Sequence, residues 1–190
     1  ELLSTVSTPT QTAAYSYTWN HTIESNATLL VVAVEWLSQS WNANCTVNGL
    51  AMTRVGGTAY VNSGWVGVVE FFYYVNPPTG TQTILYNGGG WGAYLSATSC
   101  TFANAKAVGT CTQSANTSLT VSGGGPNDFL LNVIGGWVSG FGGFTGYNQT
   151  LISADLTTVS EPGLFGYARG SSATFSVASL IGNYGGYGLG

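Results

Sequence analysis

The sequence predicts an all-β protein: an antiparallel β-sandwich of jelly-roll or immunoglobulin-like type, with an extended N-terminal arm. Three observations predict it. Short apolar runs rich in Val, Ile, Thr and aromatic residues recur along the chain. Glycine clusters at 88–90, 123–125 and 142–143 punctuate them, as turns do between strands. No segment sustains a 3.6-residue apolar period with helix caps at its ends.

The elements follow in order. Residues 1–12 read as the arm and 13–190 as one sandwich domain. The arm holds no Gly and no central turn signal, and Pro9 sets it off. In an extended chain Leu2, Ser4, Val6 and Thr8 share one face, with Leu3, Thr5 and Ser7 on the other. Such a segment either frays or pairs with a neighbouring molecule. A first strand is expected at 13–19. The run 28–36 is continuously apolar apart from Thr28 and Glu35, so it reads as a central strand with both faces covered. Asn48-Gly49 between 44–47 and 50–55 is a hairpin signal. The strand 65–75 stops at Asn76-Pro77-Pro78, where two N–H groups are missing. Further strands are expected at 81–86, ending at the triple glycine, then at 91–102, 117–121, 128–138, 144–152, 164–168 and 174–178.

Composition narrows the function. Charged residues make up 5% of the chain, with net charge -4, against about 25% in an average soluble protein. The bases are Arg54, Lys106 and Arg169. This excludes a nucleic-acid surface and gives no charge cluster for a hydrolase or a metal site. Polarity rests on Ser, Thr, Asn, Gln and Tyr, which do not titrate in acid. Folding and assembly are therefore expected to persist to about pH 2–3, where paired carboxylates are normally lost. No apolar run is long enough for a transmembrane helix. A chain that opens at Glu1 without a basic and apolar leader is compatible with secretion after signal-peptide removal. The expected location is extracellular.

Chemistry-bearing residues are sparse. His21 is the single histidine, and no Gly-x-Ser-x-Gly elbow accompanies it. Glu35 and Glu70 lie in apolar strands, and a glycosidase would need them as a facing pair. A strand glutamate held by structural hydrogen bonds is the simpler reading, so no enzyme, cofactor or metal is expected. The many aromatics are core and cross-strand pairs, or stacking platforms for sugars. Cys100 and Cys111 bracket a short connection and are expected to be bridged, a constraint worth roughly 2–4 kcal/mol. Cys45 is left over, buried or reduced. Asn-x-Ser/Thr triplets stand at Asn20, Asn26, Asn44, Asn116 and Asn148. With few charges and many tyrosines, they point to a glycosylated surface.

The stretches 21–34, 47–55 and 71–81, with their Asn-Gly hairpin and Pro-Pro-x-Gly strand end, look like those of secreted β-sandwich domains. With the arm, the missing charges and the sequons, the chain resembles the subunit of the archaeal thread filament, a secreted glycosylated pilin. The resemblance implies that each subunit donates its N-terminal strand to the next, with Leu2, Leu3 and Val6 as donor residues. It implies identical subunits head to tail and covalent N-glycans as partners, in a cell-surface filament used for adhesion or biofilm formation. The alternative class is a monomeric glycan-binding adhesin or virion surface module.

Overall fold

The computed structural model describes residues 1–8, 11–38, 43–62, 65–105, 108–109, 111–114, 118–123, 125–137, 149–155, 163–176 and 183–189. The described residues form strands and connections, with no helix. The strands are β1 (Leu2–Ser7), β2 (Gln11–Ile23), β3 (Ala27–Ser38), β4 (Asn44–Val47), β5 (Leu50–Ala51), β6 (Thr53–Asn62), β7 (Trp65–Val75) and β8 (Gly80–Ala103). They continue as β9 (Cys111–Ser114), β10 (Ser118–Ser122), β11 (Phe129–Trp137), β12 (Thr150–Asp155), β13 (Gly163–Arg169), β14 (Ser172–Ser176) and β15 (Asn183–Leu189). Every pairing is antiparallel, and the sheets pack face to face as a β-sandwich.

The spine is β8. One of its edges carries β1 and then β2, and the other carries β3 and then β4. Thus Thr101 is paired with Ser4 and Leu30, Leu95 with Gln11 and Trp36, and Ile84 with Trp19 and Val47. The two strands expected at 81–86 and 91–102 are therefore one strand. The triple glycine creases it instead of ending it. Gly89 takes φ +76°, a conformation that L side chains rarely adopt. Gly88 lies directly against the Trp36 indole, where a Cβ would collide with the ring.

The crease folds the sheet over itself and encloses the first core. Trp19, Ile23, Val47, Ile84 and Tyr86 on one half meet Leu30, Val32, Val34, Trp36, Phe72 and Leu95 on the other. The opposite face of β3, β7 and β8 meets the sheet β12-β13-β11-β15-β9 through Val31, Ala33, Phe71, Phe102, Leu131, Val133 and Phe165. A smaller third core joins the β10–β14 pair to Leu130. β3 is thus covered on both faces, and Leu29 to Trp36 are all buried. That is why its sequence is a run and not an alternation.

The Asn48-Gly49 hairpin forms as its residues predict, with φ +48° and +79° at the two turn positions. Two strands are present where the sequence shows no strand signal. β9 is short, and β15 (Asn-Tyr-Gly-Gly-Tyr-Gly-Leu) is too glycine-rich for its propensity to speak for a strand. β15 is held because it pairs on both sides, with β11 and β9. The first part of the strand expected at 144–152 lies outside the described residues, as does Pro9.

Candidate functional site at the N-terminal strand

The first residues do have a partner in their own chain. This corrects the expectation of an arm without one. β1 lies along β8, with Leu2 paired to Phe102, Ser4 to Thr101, Thr5 to Cys100, Val6 to Ser99 and Ser7 to Thr98. The Glu1 ammonium donates to the Ala103 carbonyl at 2.9 Å, and the Ala103 N–H returns a bond to Glu1 at 2.8 Å. Beyond β1, the Thr8 N–H donates to the Ala97 carbonyl at 2.9 Å, and Thr8 Oγ1 accepts from the Ala97 N–H at 3.1 Å.

A register shift between Leu2 and Ser4 inserts one residue into β1. Such a bulge reverses side-chain alternation locally. Leu2 therefore packs on the second core, while Leu3 and Val6 pack on the first. The two-face pattern expected for a regular extended arm is broken at this point. The donor residues Leu2, Leu3 and Val6 are all partly buried, none of them fully.

Under β1 runs a polar seam. Trp19 Nε1 donates to Ser99 Oγ at 3.0 Å, and Ser99 Oγ is 2.7 Å from His21 Nδ1. His21 Nε2 is 2.9 Å from Ser4 Oγ, which is 2.8 Å from Thr101 Oγ1. Thr101 Oγ1 donates to Glu24 Oε2 at 2.7 Å. His21 and Ser99 are buried, as is Thr101. Burial lowers the His21 pKa below its ordinary value, and the nearby Glu24 charge opposes this only in part. Burial raises Glu24, but bonds from Ser4 and Thr101 outweigh it and hold the carboxyl below its usual range. The seam's hydroxyls are engaged with one another and lie under a strand, and through them His21 links β1, β2 and β8.

Sequence reasoning left Ser4, Ser99, Thr101 and Glu24 out of any site, and placed Trp19 only among aromatics of the core or of a sugar-stacking platform. The available signal was the i, i+2 spacing of Trp19 with His21 and of Ser99 with Thr101, which puts each pair on one strand face. Nothing local shows that those faces meet.

The remaining candidates fall elsewhere. Glu70 is fully buried, accepts from Tyr86 Oη at 2.6 Å and pairs with Arg54 Nε at 2.7 Å. Burial raises its pKa, with Tyr86 and Arg54 working against the rise. Glu35 accepts from Ser96 Oγ at 3.3 Å. Glu70 is paired with Val34 and Glu35 with Val69, so the two carboxylates sit on opposite sheet faces and make no catalytic pair. Cys100 is a free thiol buried in the second core, so the expected bridge to Cys111 is not formed. The reason is topological: Cys100 is on β8, whereas residue 111 starts β9 at the edge of the opposing sheet. Cys45 is also free and buried.

Asn20, Asn26 and Asn44 are exposed, and Asn116 and Asn148 lie outside the described residues. Asn20 and Asn44 share the outer face of the β2–β8–β4 sheet, flanking β8 at Thr83 and Asn87. Ser16, Thr18, Thr22, Thr81, Thr83 and Asn87 are exposed on the same face, with no charged residue among them. Among the described residues no helix is long and apolar enough to cross a membrane.

In comparisons with known proteins, no family model, no curated protein and no solved structure matches this chain.

Proposed function

We propose that the chain is a structural subunit of an extracellular, glycosylated filament, polymerising head to tail by lending residues 1–8 to the β1 seat of the next copy. One observation carries this reading. β1 is an edge strand whose pairing is entirely with β8, about a hundred positions later in sequence. A seat built from distant residues accepts the same strand from its own chain or from an identical one, which is the logic of strand exchange. Such a contact is heterologous and does not close, so it grows a filament. Partial burial of Leu2, Leu3 and Val6 on two cores supplies apolar affinity, and main-chain bonds supply the rest. The charge-poor surface and the exposed sequons support a life outside the cell under a sugar coat.

Negative-stain microscopy and sizing of the full chain and of a chain lacking residues 1–8 test the reading. Fibres are expected from the full chain and none from the truncated one. A peptide of residues 1–8 is expected to bind the truncated chain and cap it. Fibres from the truncated chain overturn the proposal. A full chain that stays monomeric and is stabilised by oligosaccharides replaces it with the glycan-binding module. An intact mass equal to the bare 19.7 kDa chain would remove the glycans from it.

A further inference from the structure

The five short contacts of the polar seam under β1, 2.7–3.0 Å long, are all satisfied by one set of proton positions, which leaves only the longer contact of Ser99 Oγ with the Val6 carbonyl at 3.4 Å without a proton. The seam's two ends are fixed. The Trp19 indole N–H only donates, and an ionised Glu24 only accepts. Thr101 spends its single proton on Glu24, so Ser4 turns its own proton to that side, toward Thr101 Oγ1 and the Glu24 carboxylate. Ser4 has then spent its own proton and must accept from His21 Nε2. At the other end Ser99 accepts from Trp19 and donates to His21 Nδ1, which is bare in the neutral ring. His21 is therefore the neutral Nε2–H tautomer. Ser4 is the one link contributed by the side chains of β1, accepting on one side and donating on the other.

We propose that Ser4 sets the register of the N-terminal strand, because its hydroxyl closes the gap in a buried hydrogen-bond chain between His21 and Thr101. A strand shifted by two residues brings Leu2 or Val6 to that gap. The His21 N–H then loses its acceptor and Thr101 loses its donor, and both residues are buried. A shift by one residue sends the apolar side chains to the wrong cores. The seat thus selects a strand with a hydroxyl at this position, flanked by apolar residues. Naming a second copy as the source of that strand rests on the proposed function. The register rule itself holds for either source.

Cys100 provides the readout, since Thr5 is its direct partner across the strands. Thr5→Cys, oxidised in the full chain, is expected to bridge to Cys100, because directly opposed Cβ atoms lie about 4.5–5.5 Å apart. Ser4→Thr keeps the hydroxyl, and Ser4→Val keeps that shape without it. Bridging from position 5 is expected to survive S4T and to fall at least tenfold in S4V, with Leu3→Cys or Ser7→Cys gaining what position 5 loses. Equal bridging in S4V and S4T overturns the register rule. A non-reducing gel separates the two proposals. A ladder of cross-linked chains supports strand exchange. A bridge confined to monomers overturns strand exchange and leaves the register rule standing. Should S4V fail to fold, nitrogen NMR of the wild-type chain decides, its single histidine needing no assignment. The neutral Nε2–H tautomer is expected, and the Nδ1–H tautomer overturns the proposal.

Discussion

The Trp36 indole fills the space that a side chain at Gly88 would occupy. A Cβ built on Gly88 falls among the Cη2, Cζ2 and Cζ3 atoms of that ring. Trp36 is buried, and Tyr86 meets it edge-on at 5.8 Å, so the ring has little room to retreat. The crease of β8, and with it the first core, depends on residue 88 having no side chain.

Gly88→Ala is therefore expected to destabilise the protein by about 1–3 kcal/mol, as an overpacked core does. Trp36→Phe removes the benzo-ring atoms that meet residue 88. The cost of G88A is expected to shrink in that background, a coupling that a double-mutant cycle in denaturant melts measures. Additive effects would show that the crease tolerates a side chain.

Buried Glu70 holds two partners, the buried Tyr86 and the partly exposed Arg54. Arg54→Ala leaves a buried carboxylate without its cation and is expected to cost about 3–5 kcal/mol at neutral pH. Glu70→Gln keeps an acceptor for the Tyr86 hydroxyl without the charge, so it is expected to cost less. Chemical denaturation at pH 7 ranks the two, and the reverse order would mean that the ion pair matters little.

The pH profile follows from three shifted groups. His21 has its folded pKa below 6.5, so the unfolded chain binds the proton first. Stability from this group is present at higher pH and is lost as pH falls from 6.5 through the folded value. Glu24 is lowered from 4.5, so its contribution is present above 4.5 and is lost as pH falls through the folded value. Glu70 is raised from 4.5, so the folded chain takes its proton first and gains stability as pH falls through the folded value to 4.5. Thermal melts should show H21Q losing the slope that begins near 6.5, and E70Q losing the acid-side gain. A wild-type profile that is flat around 6.5 would mean that His21 is as free to charge in the fold as outside it.

Cys45 and Cys100 are buried thiols whose pKa values burial pushes well above the ordinary range. The thiolate is the reactive form. Both are expected to resist iodoacetamide in the native protein and to alkylate fully in denaturant, with peptide mapping as the readout. Rapid native labelling of Cys100 would place it outside the core, and a Cys100–Cys111 bridge would reverse the finding of a free thiol.

Much of the fold was legible because local chemistry and the fold agree. The unbroken apolar run of β3 announces a strand covered on both faces. Asn48-Gly49 announces its hairpin, and Asn76-Pro77-Pro78 closes β7 at Val75. Legibility failed where pairing overrides propensity. Gly88 to Gly90 reads as a break, yet the flanking pairs with β2, β3 and β4 carry the strand through. β15 reads as a turn until β11 and β9 are placed beside it.

The candidate site was less legible still. His21 was visible as the single histidine, but its partners Ser4 and Ser99 are 17 and 78 positions away. The bulge at Leu3 reverses the parity on which the donor face was reasoned. Glu35 and Glu70 look alike in sequence, and only their registers with Val69 and Val34 set them on opposite faces.

By itself the sequence determined most strand-forming segments and the scarcity of charge. These are properties of single residues and of short-range alternation. Tertiary structure alone decided that β8 is one creased strand, that residues 2–7 have a seat, and that Cys100 stands apart from Cys111. Each of these is a pairing between segments distant in the chain. Antiparallel register is set by the whole face that becomes buried, and no local window contains that face.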